Sequence, residues 1–208
     1  MSKLFSIIAL SLLTACSSTI PVRHYQLQSY TKAPEIKHPA PFSRAVSFGI
    51  KTVKLPSMLN RHSLVSMNTG ASIKIASHDV WAGKLDDNFT QVLGELLIDN
   101  LGVTDVVTEP WNPRFRPEFQ LQFDVLKFSG ELGGDVTLKV HWVLSGDFGK
   151  EKLLSQNHEF TIQARNESYN EYVQTLNRLL ITFSEQITES FIKQPILNYL
   201  DRENKLNN

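Results

Sequence analysis

The sequence predicts a single α+β domain in which a largely antiparallel or mixed sheet packs against two helices. Three observations lead to this fold class. Segments with alternating apolar residues occur in two groups, and each group is followed by a longer segment with apolar residues at helical spacing. The length of 208 residues suits one domain, and hydrophobic residues make up 41%, which is enough for a packed core.

Alternation of apolar and polar residues marks the expected strands, and glycine or proline separates them. An extended connector is expected at residues 31–43, which contain three prolines. The strand segments are residues 25–28, residues 46–55 up to Pro56, a hairpin of 64–67 and 72–76 around Asn68, Thr69 and Gly70, a long antiparallel pair of 119–125 and 136–144, and a short strand at Phe160 and Ile162.

Two helices are expected from apolar residues that recur every three or four positions. The first runs from Leu85 to Leu101, and Gly102 offers a stop. The second begins at a capping box formed by Ser168 and Glu171 and carries a continuous apolar stripe from residue 172 to 191. Pro195 is expected to end or kink it, and the last eight residues are expected to fray.

The amino terminus has the pattern of a bacterial export signal that ends in a lipidation motif. Residues 1–15 contain Lys3, then an apolar run, then small residues. As a helix the run covers only about 18 Å of a bilayer core about 30 Å thick, so it is too short to span a membrane. Residues 13–16, Leu-Thr-Ala-Cys, match the lipobox of bacterial lipoproteins. A buried structural cysteine is the alternative, but Cys16 precedes every core segment.

We therefore expect the mature chain to begin at Cys16, with a diacylglycerol and an N-acyl chain on that residue and no cofactor or metal. Each buried acyl methylene contributes about 0.8 kcal/mol, and two lipid signals already give stable anchoring. Ser17 stands where aspartate would retain a lipoprotein in the inner membrane, which favours the periplasmic face of the outer membrane. Residues 16–23 form a lipidated tether of at most about 25 Å, residues 24–200 the domain, and residues 201–208 a polar tail.

The composition and motifs argue against nucleic-acid binding and against familiar enzyme chemistry. Lys+Arg and Asp+Glu both number 21, so no bulk charge would hold a nucleic acid. The chain has no G-x-S-x-G motif, and its six histidines lack the spacing of a helical metal site. Asp86 and Asp87 are expected to stabilise the first turn of a helix rather than to act as acid and base. The sequence therefore predicts a protein that is not an enzyme.

Several features follow one another along the chain in a fixed order. They are the lipobox, a Tyr-x-Leu strand with Tyr25 and Leu27, the segment VKLPSMLNRHSLV with Leu55, Pro56 and Leu64, then Trp81 with Leu85 opening a helix, and finally the glycine-turned hairpin. In this order and spacing they resemble the PqiC family of ABC-type transport auxiliary lipoproteins, the lipoprotein partners of MCE-type lipid transport systems. The resemblance covers nearly all of the mature chain.

The resemblance implies a noncatalytic subunit on the periplasmic side of the outer membrane. It would dock the end of a bridge formed by a PqiB-like MCE protein, which works with a permease system. Phospholipid-like molecules would move through this bridge, and their movement would support membrane integrity. Contact with the partner or with lipid is expected near the turn after Pro56, because exposed apolar groups can form a contact site. The candidates are Met58, Leu59, Arg61 and Trp81.

Three alternatives remain open at this point. Leu59 and Leu64 could fold back into the core, and Trp81 could pack there as well. The sheet and the long helix could enclose a cavity in which the domain itself holds a lipid, which would make the protein a lipid carrier rather than a docking subunit. Self-association into a ring around a lipid conduit would also suit a docking role.

Overall fold

The computed structural model describes residues 20–29, 42, 44–68, 70, 72–103, 105–112, 114–192 and 195–206. The export signal, Cys16 and most of the proline-rich connector lie outside the described residues, and so does the side chain of Phe191. The fold class is confirmed, because helices pack against mixed sheets in a single α+β domain. The strands are β1 (Arg23–Tyr25), β2 (Phe48–Ile50), β3 (Ser63–Met67), β4 (Ile73–Trp81), β5 (Val106–Thr108), β6 (Phe119–Gly130), β7 (Asp135–Gly146) and β8 (Glu151–Gln163).

The strands divide into two sheets rather than the one sheet that the sequence predicts. The larger sheet has the order β5-β2-β6-β7-β8, and β2 lies parallel to both of its neighbours. The long antiparallel pair is confirmed as β6 and β7, and Glu131 N donates to Asp135 O at 3.0 Å to close their turn. Gly133 has a φ of 70° there, a left-handed conformation that favours glycine.

The smaller sheet has the order β1-β4-β3, with β1 parallel to β4 and β3 antiparallel to it. Its β3–β4 hairpin is the one predicted around Asn68, whose backbone N donates to Ser72 O at 3.0 Å. The first strand covers Arg23–Tyr25 rather than residues 25–28. Leu27 therefore lies just after β1, where it is buried.

The predicted helix boundaries agree with the structure at three ends. Helix α1 spans Leu85–Leu101 and stops at Gly102, which has a left-handed φ of 64° and donates its N–H to Ile98 O at 2.9 Å. Helix α2 spans Tyr169–Ile192, and Glu171 N donates to Ser168 Oγ at 3.2 Å, as in a capping box. The Glu171 carboxylate does not complete the box but accepts from Arg165 N and from Arg178.

Helix α2 ends at Ile192, before Pro195, which agrees with the expected stop, but a third helix, α3 (Pro195–Leu206), follows where the sequence predicted a frayed end. Pro195 is its first residue, a position where the missing N–H and the fixed φ of proline cost nothing. Ile196, Tyr199 and Leu200 form a buried face, and the Tyr199 ring meets Phe119 edge-on at 5.4 Å. The buried face is short and the other residues of the segment are mostly polar, so the sequence pattern did not predict a helix. The helix is evident only from its packing against the rest of the domain.

The remaining differences concern strand length. The predicted strand over residues 46–55 shortens to β2, and β5 was not expected at all. The short strand expected at Phe160 becomes β8, which has 13 residues and pairs with β7 along its length. Many residues of β8 are polar because its position at the sheet edge leaves alternate side chains exposed.

The core lies between the larger sheet and the helices. Phe123 of β6 stacks near Trp142 of β7 with ring centroids 6.5 Å apart, and it meets Phe183 of α2 edge-on at 5.7 Å. Leu179, Leu180 and the other apolar residues of the described part of the α2 stripe are buried against this layer. The sheet–helix interface is therefore filled by side chains.

Candidate functional site

The segments that carry the family resemblance lie far apart in the sequence and meet at one end of the smaller sheet. Tyr25 of β1 is in register with Trp81 of β4. The Trp81 N–H donates to His62 O at 2.6 Å, and the Ala82 N–H donates to Tyr25 O at 2.7 Å. These backbone bonds bring the end of β1, the turn before β3 and the start of α1 to one surface.

The turn before β3 is a short 3-10 helix, Ser57–Leu59, which follows Pro56. Its backbone bonds close locally, since Leu59 N donates to Pro56 O at 2.9 Å. The Arg61 guanidinium donates from Nε to Met58 O at 2.9 Å, which fixes the side chain against the turn. Hydrogen bonds within the turn therefore hold both its backbone and the Arg61 side chain in place.

Burial separates the four contact candidates into two pairs. Leu59 is 5% exposed and Trp81 is 5% exposed, so both pack into the core, as do Leu27, Leu64 and Leu85. The core alternative is thus the one that the structure shows for Leu59 and Trp81. Met58 is half-buried and Arg61 is exposed, so these two remain at the surface. Of the other motif residues, Tyr25, Leu55 and Pro56 are half-buried.

An open cleft of about 350 Å³ lies between the turn and the start of α1. Arg61 and Lys84 bring positive charge to it, Asp86 brings negative charge, and His62 adds an imidazole ring. The lining residues are Asn60, Arg61, His62, Gly83, Lys84, Leu85 and Asp86. Such a lining can bind a polar or mixed-charge group of another protein, and the cleft is open to solvent, whereas a lipid chain is best held in an enclosed apolar cavity.

Two further clefts, of about 320 and 420 Å³, continue this surface around the end of β1. Amide side chains are frequent in both, and the charged residues Lys84 and Asp87 also line the smaller cleft. The amides include Gln26, Gln28, Asn88, Gln91, Asn170, Gln174 and Asn177. Two of these amides also hold the chain after β1, because Leu27 N donates to Asn88 Oδ1 at 2.7 Å and Gln28 N donates to Asn177 Oδ1 at 3.1 Å. The surface around the cleft therefore combines amide side chains with charges of both signs.

A buried carboxylate behind this surface is a feature that the sequence analysis missed. Asp79 of β4 is 4% exposed and accepts a hydrogen bond of 2.8 Å from the Tyr25 hydroxyl. Arg23 Nε lies 2.8 Å from the same carboxylate. Burial, together with the hydrogen bond to Asp79, raises the pKa of Tyr25. No local pattern signals this network, since Asp79 and its partners are on different strands.

The described residues contain no group of three or more His, Cys, Asp and Glu side chains that could hold a metal ion. Asp86 and Asp87 lie in the first turn of α1, where Asp87 N donates to Asp86 Oδ1 at 3.0 Å. Both carboxylates therefore lie in the first turn of the helix, the position that the sequence predicted for them. Among the helices in the described ranges, none combines the length and the apolar character needed to cross a bilayer.

Comparison with known proteins identifies one family and a set of similar folds. The model of the family described as "ABC-type transport auxiliary lipoprotein component" matches residues 25–188. No curated protein sequence matches the chain.

Two solved structures show the same fold. One is an uncharacterised protein with 18% identity and a TM-score of 0.66, covering 83% of this chain and 99% of its own. The other is a Xanthomonas campestris protein of the DUF330 family, with 10% identity and a TM-score of 0.65, covering 88% of this chain and 99% of its own. At these identities the likeness shows the fold alone.

Proposed function

The chain belongs to the ABC-type transport auxiliary lipoprotein family, and from this we propose that it is a noncatalytic docking subunit of an MCE-type trans-envelope phospholipid transport system. The family description supports an auxiliary component of a transporter. The observation that carries the docking role is the convergence of the family segments on one polar surface beside Arg61. Support of membrane integrity would follow from lipid movement through such a system.

In this proposal the anchor is a diacylglycerol and an N-acyl chain on Cys16, which hold the domain at the periplasmic face of the outer membrane. The lipobox at residues 13–16 and Ser17 support this placement. Acyl chains with many methylenes, at about 0.8 kcal/mol each, make the attachment effectively permanent. Labelled palmitate fed to cells is expected to enter the parent chain and not Cys16→Ser, which is expected to leave the membrane fraction. Equal labelling of both chains would contradict the anchor.

The docking surface consists of Met58, Arg61 and the cleft between them and α1. Its partner would be a PqiB-like MCE protein, which with its permease carries the phospholipid. A rim that holds charges of both signs together with amides suits a protein partner, because the rims of protein interfaces are polar and hydrogen-bonded. Beside this rim, Met58 supplies an apolar side chain. That side chain is half-buried in the chain alone.

A photo-crosslinking residue in place of Arg61 tests the docking role in cells. Arg61 is exposed, so the substitution does not disturb the core. The matched control places the same residue at Lys127, which is exposed on β6 in the other sheet. We expect capture of an MCE-domain protein from position 61 and not from position 127. Capture from neither position, or equally from both, would refute this docking surface.

The alternative function, in which the domain itself holds a lipid, predicts a bound phospholipid after purification. The clefts around the candidate site are open and side chains fill the sheet–helix interface, so we expect native mass spectrometry of the detergent-free domain to show the empty chain. A retained phospholipid would favour the carrier function instead.

A further inference from the structure

Exposed aliphatic side chains concentrate at the end of the smaller sheet that lies away from the cleft. In the part of the chain that the structure describes, Ile20 is 65% exposed, Val22 51%, Ile73 39% and Ile75 46%. The other large exposed apolar residues of this part, Leu126 and Phe148, lie elsewhere, on β6 and in the turn after β7. Isolated exposed residues are ordinary, whereas a concentration at one end indicates a contact surface.

The strand pairing explains why these four residues share one end. Because β1 runs parallel to β4 with Arg23 opposite Asp79, the chain before Arg23 enters from the side where β4 begins. That side carries Ile73 and Ile75, the first and third residues of β4. The segment with Ile20 and Val22 therefore leads into β1 from the side of the sheet that holds the turn of the β3–β4 hairpin. We call these four residues the apolar end.

We propose that the apolar end rests on the surface of the bilayer that holds the lipid anchor. This inference depends on the proposed anchor at Cys16. Ile20 follows Cys16 by four residues, so the acylated sulfur lies within about 14 Å of chain from it at full extension. A tether this short keeps the end of the sheet at the lipid surface, and the aliphatic side chains match the interfacial region that they meet there.

Charge plays little part in the contact. Lys74 stands between the two isoleucines of the hairpin, and it lines a neighbouring cleft together with Glu131 and Glu167. One lysine and two carboxylates thus line the same cleft, so the charge beside the apolar end is mixed rather than cationic and does not require anionic lipid. We expect the same contact in vesicles of phosphatidylcholine alone and in vesicles that also contain phosphatidylglycerol.

The contact would orient the docking surface. The nine residues of β4 connect the apolar end to Trp81 beside the cleft, and at about 3.3 Å per residue they separate the two by at most about 26 Å. With the apolar end on the membrane, the Arg61 cleft faces the periplasm, where the end of a protein bridge would arrive. The domain would then be held in one orientation, and not only within reach of the lipid.

The test measures the depth of two positions in the mature, lipidated chain attached to vesicles. Because Cys16 is acylated, Ile75→Cys supplies a single thiol for an NBD label, and Ala82→Cys, exposed at the far end of β4, supplies the control. We expect lipids with spin labels near the headgroup to quench NBD at position 75 several-fold more than at position 82. Equal quenching at the two positions, or stronger quenching at position 82, would overturn the inference. NBD at Ile73→Cys is expected to be quenched as strongly as NBD at Ile75→Cys, and quenching at only one of the two positions would also overturn the inference.

Flotation of the same samples separates this inference from the function on which it rests. A chain that floats with the vesicles retains its anchor. If NBD is then quenched equally at positions 75 and 82, the membrane contact of the apolar end is refuted. A chain that fails to float refutes the anchor, and the orientation with it. Quenching at position 75 that occurs only with phosphatidylglycerol would refute the apolar contact in favour of an electrostatic one.

Discussion

Tyr25 and Asp79 lie 54 residues apart in the sequence, and the Tyr25 hydroxyl donates a hydrogen bond of 2.8 Å to the Asp79 carboxylate. Arg23 contacts the same carboxylate, so two residues of β1 hold one residue of β4. β1 is the described strand nearest to Cys16. This contact therefore fixes the amino-terminal strand of the described chain to the rest of the smaller sheet.

Removal of the Tyr25 hydroxyl is expected to destabilise the domain. Tyr25→Phe keeps the ring and leaves a buried carboxylate with one donor fewer, so the free energy of unfolding should fall by about 1.5 kcal/mol. Urea titration measures the change. His24→Ala is the matched control, because His24 is exposed on the same strand and its loss should change stability by less than about 0.5 kcal/mol. If the two variants are equally stable, the hydrogen bond contributes nothing.

The amino end of α2 depends on the hydroxyl of Ser168. This oxygen accepts from Glu171 N at 3.2 Å, and Ser168→Ala leaves that N–H without its cap. The expected loss is about 1 kcal/mol in the free energy of unfolding. Ser155→Ala, at an exposed position on β8, provides the comparison. A Ser168→Ala variant that unfolds at the parent's urea midpoint would show that the cap is not needed.

Stability should decline as the pH falls below about 6.5, the usual pKa of histidine. Burial lowers the pKa of His158, whose ring stacks on Phe160 with centroids 5.8 Å apart. Below about pH 6.5 the unfolded chain takes up a proton on this residue more readily than the folded chain. The contribution of His158 is therefore present above that pH and is lost as the pH falls.

The variant His158→Phe tests this pH dependence. It keeps an aromatic ring in the stack and removes the titrating group, so the decline in the unfolding midpoint between about pH 7 and pH 5 should become shallower. Gln156→Ala serves as the control, because it removes the side chain 3.1 Å from His158 Nε2 and leaves the imidazole in place. If His158→Phe shows the full decline of the parent, other groups cause it.

Gly49 of β2 should tolerate no side chain. A Cβ at this position would overlap Pro117 and lie 2.9 Å from the Trp111 ring. We expect Gly49→Ala to lower the free energy of unfolding by about 1–3 kcal/mol, as overpacking does in other cores. Gly83→Ala is the matched control, since nothing lies within 4 Å of the added Cβ. Thermal unfolding that ranks Gly49→Ala level with Gly83→Ala would contradict the close approach.

Gly94 presents the opposite case, because it lies within helix α1. An added Cβ would meet Ile50 Cδ1 and Thr108 Cγ2 at 3.5 Å each, which is an ordinary packing distance. Alanine restricts the unfolded chain and suits a helix better than glycine, so Gly94→Ala should raise the free energy of unfolding by about 0.5–1 kcal/mol. A lower melting temperature for this variant would show that the β2–α1 contact is tighter than these distances indicate.

Local patterns in the sequence predicted the elements that depend on near neighbours. The α1 boundary at Gly102, the Ser168 cap and the β6–β7 turn each involve residues within a few positions of one another. The order of the family segments likewise predicted the family to which the chain belongs. The placement of Leu59 and Trp81 was different, because the same apolar side chain suits a core and a contact surface equally well.

The α+β class, most of the element types and the family could be predicted from the amino-acid sequence. The parallel pairing of β1 with β4, the burial of Asp79 beside Tyr25 and Arg23, and the helix α3 beyond Pro195 became evident only in the folded chain. The difference arises from the range of the interactions. Periodicity and caps act over a few residues, whereas strand order and the burial of a carboxylate depend on segments that meet only after the chain has folded.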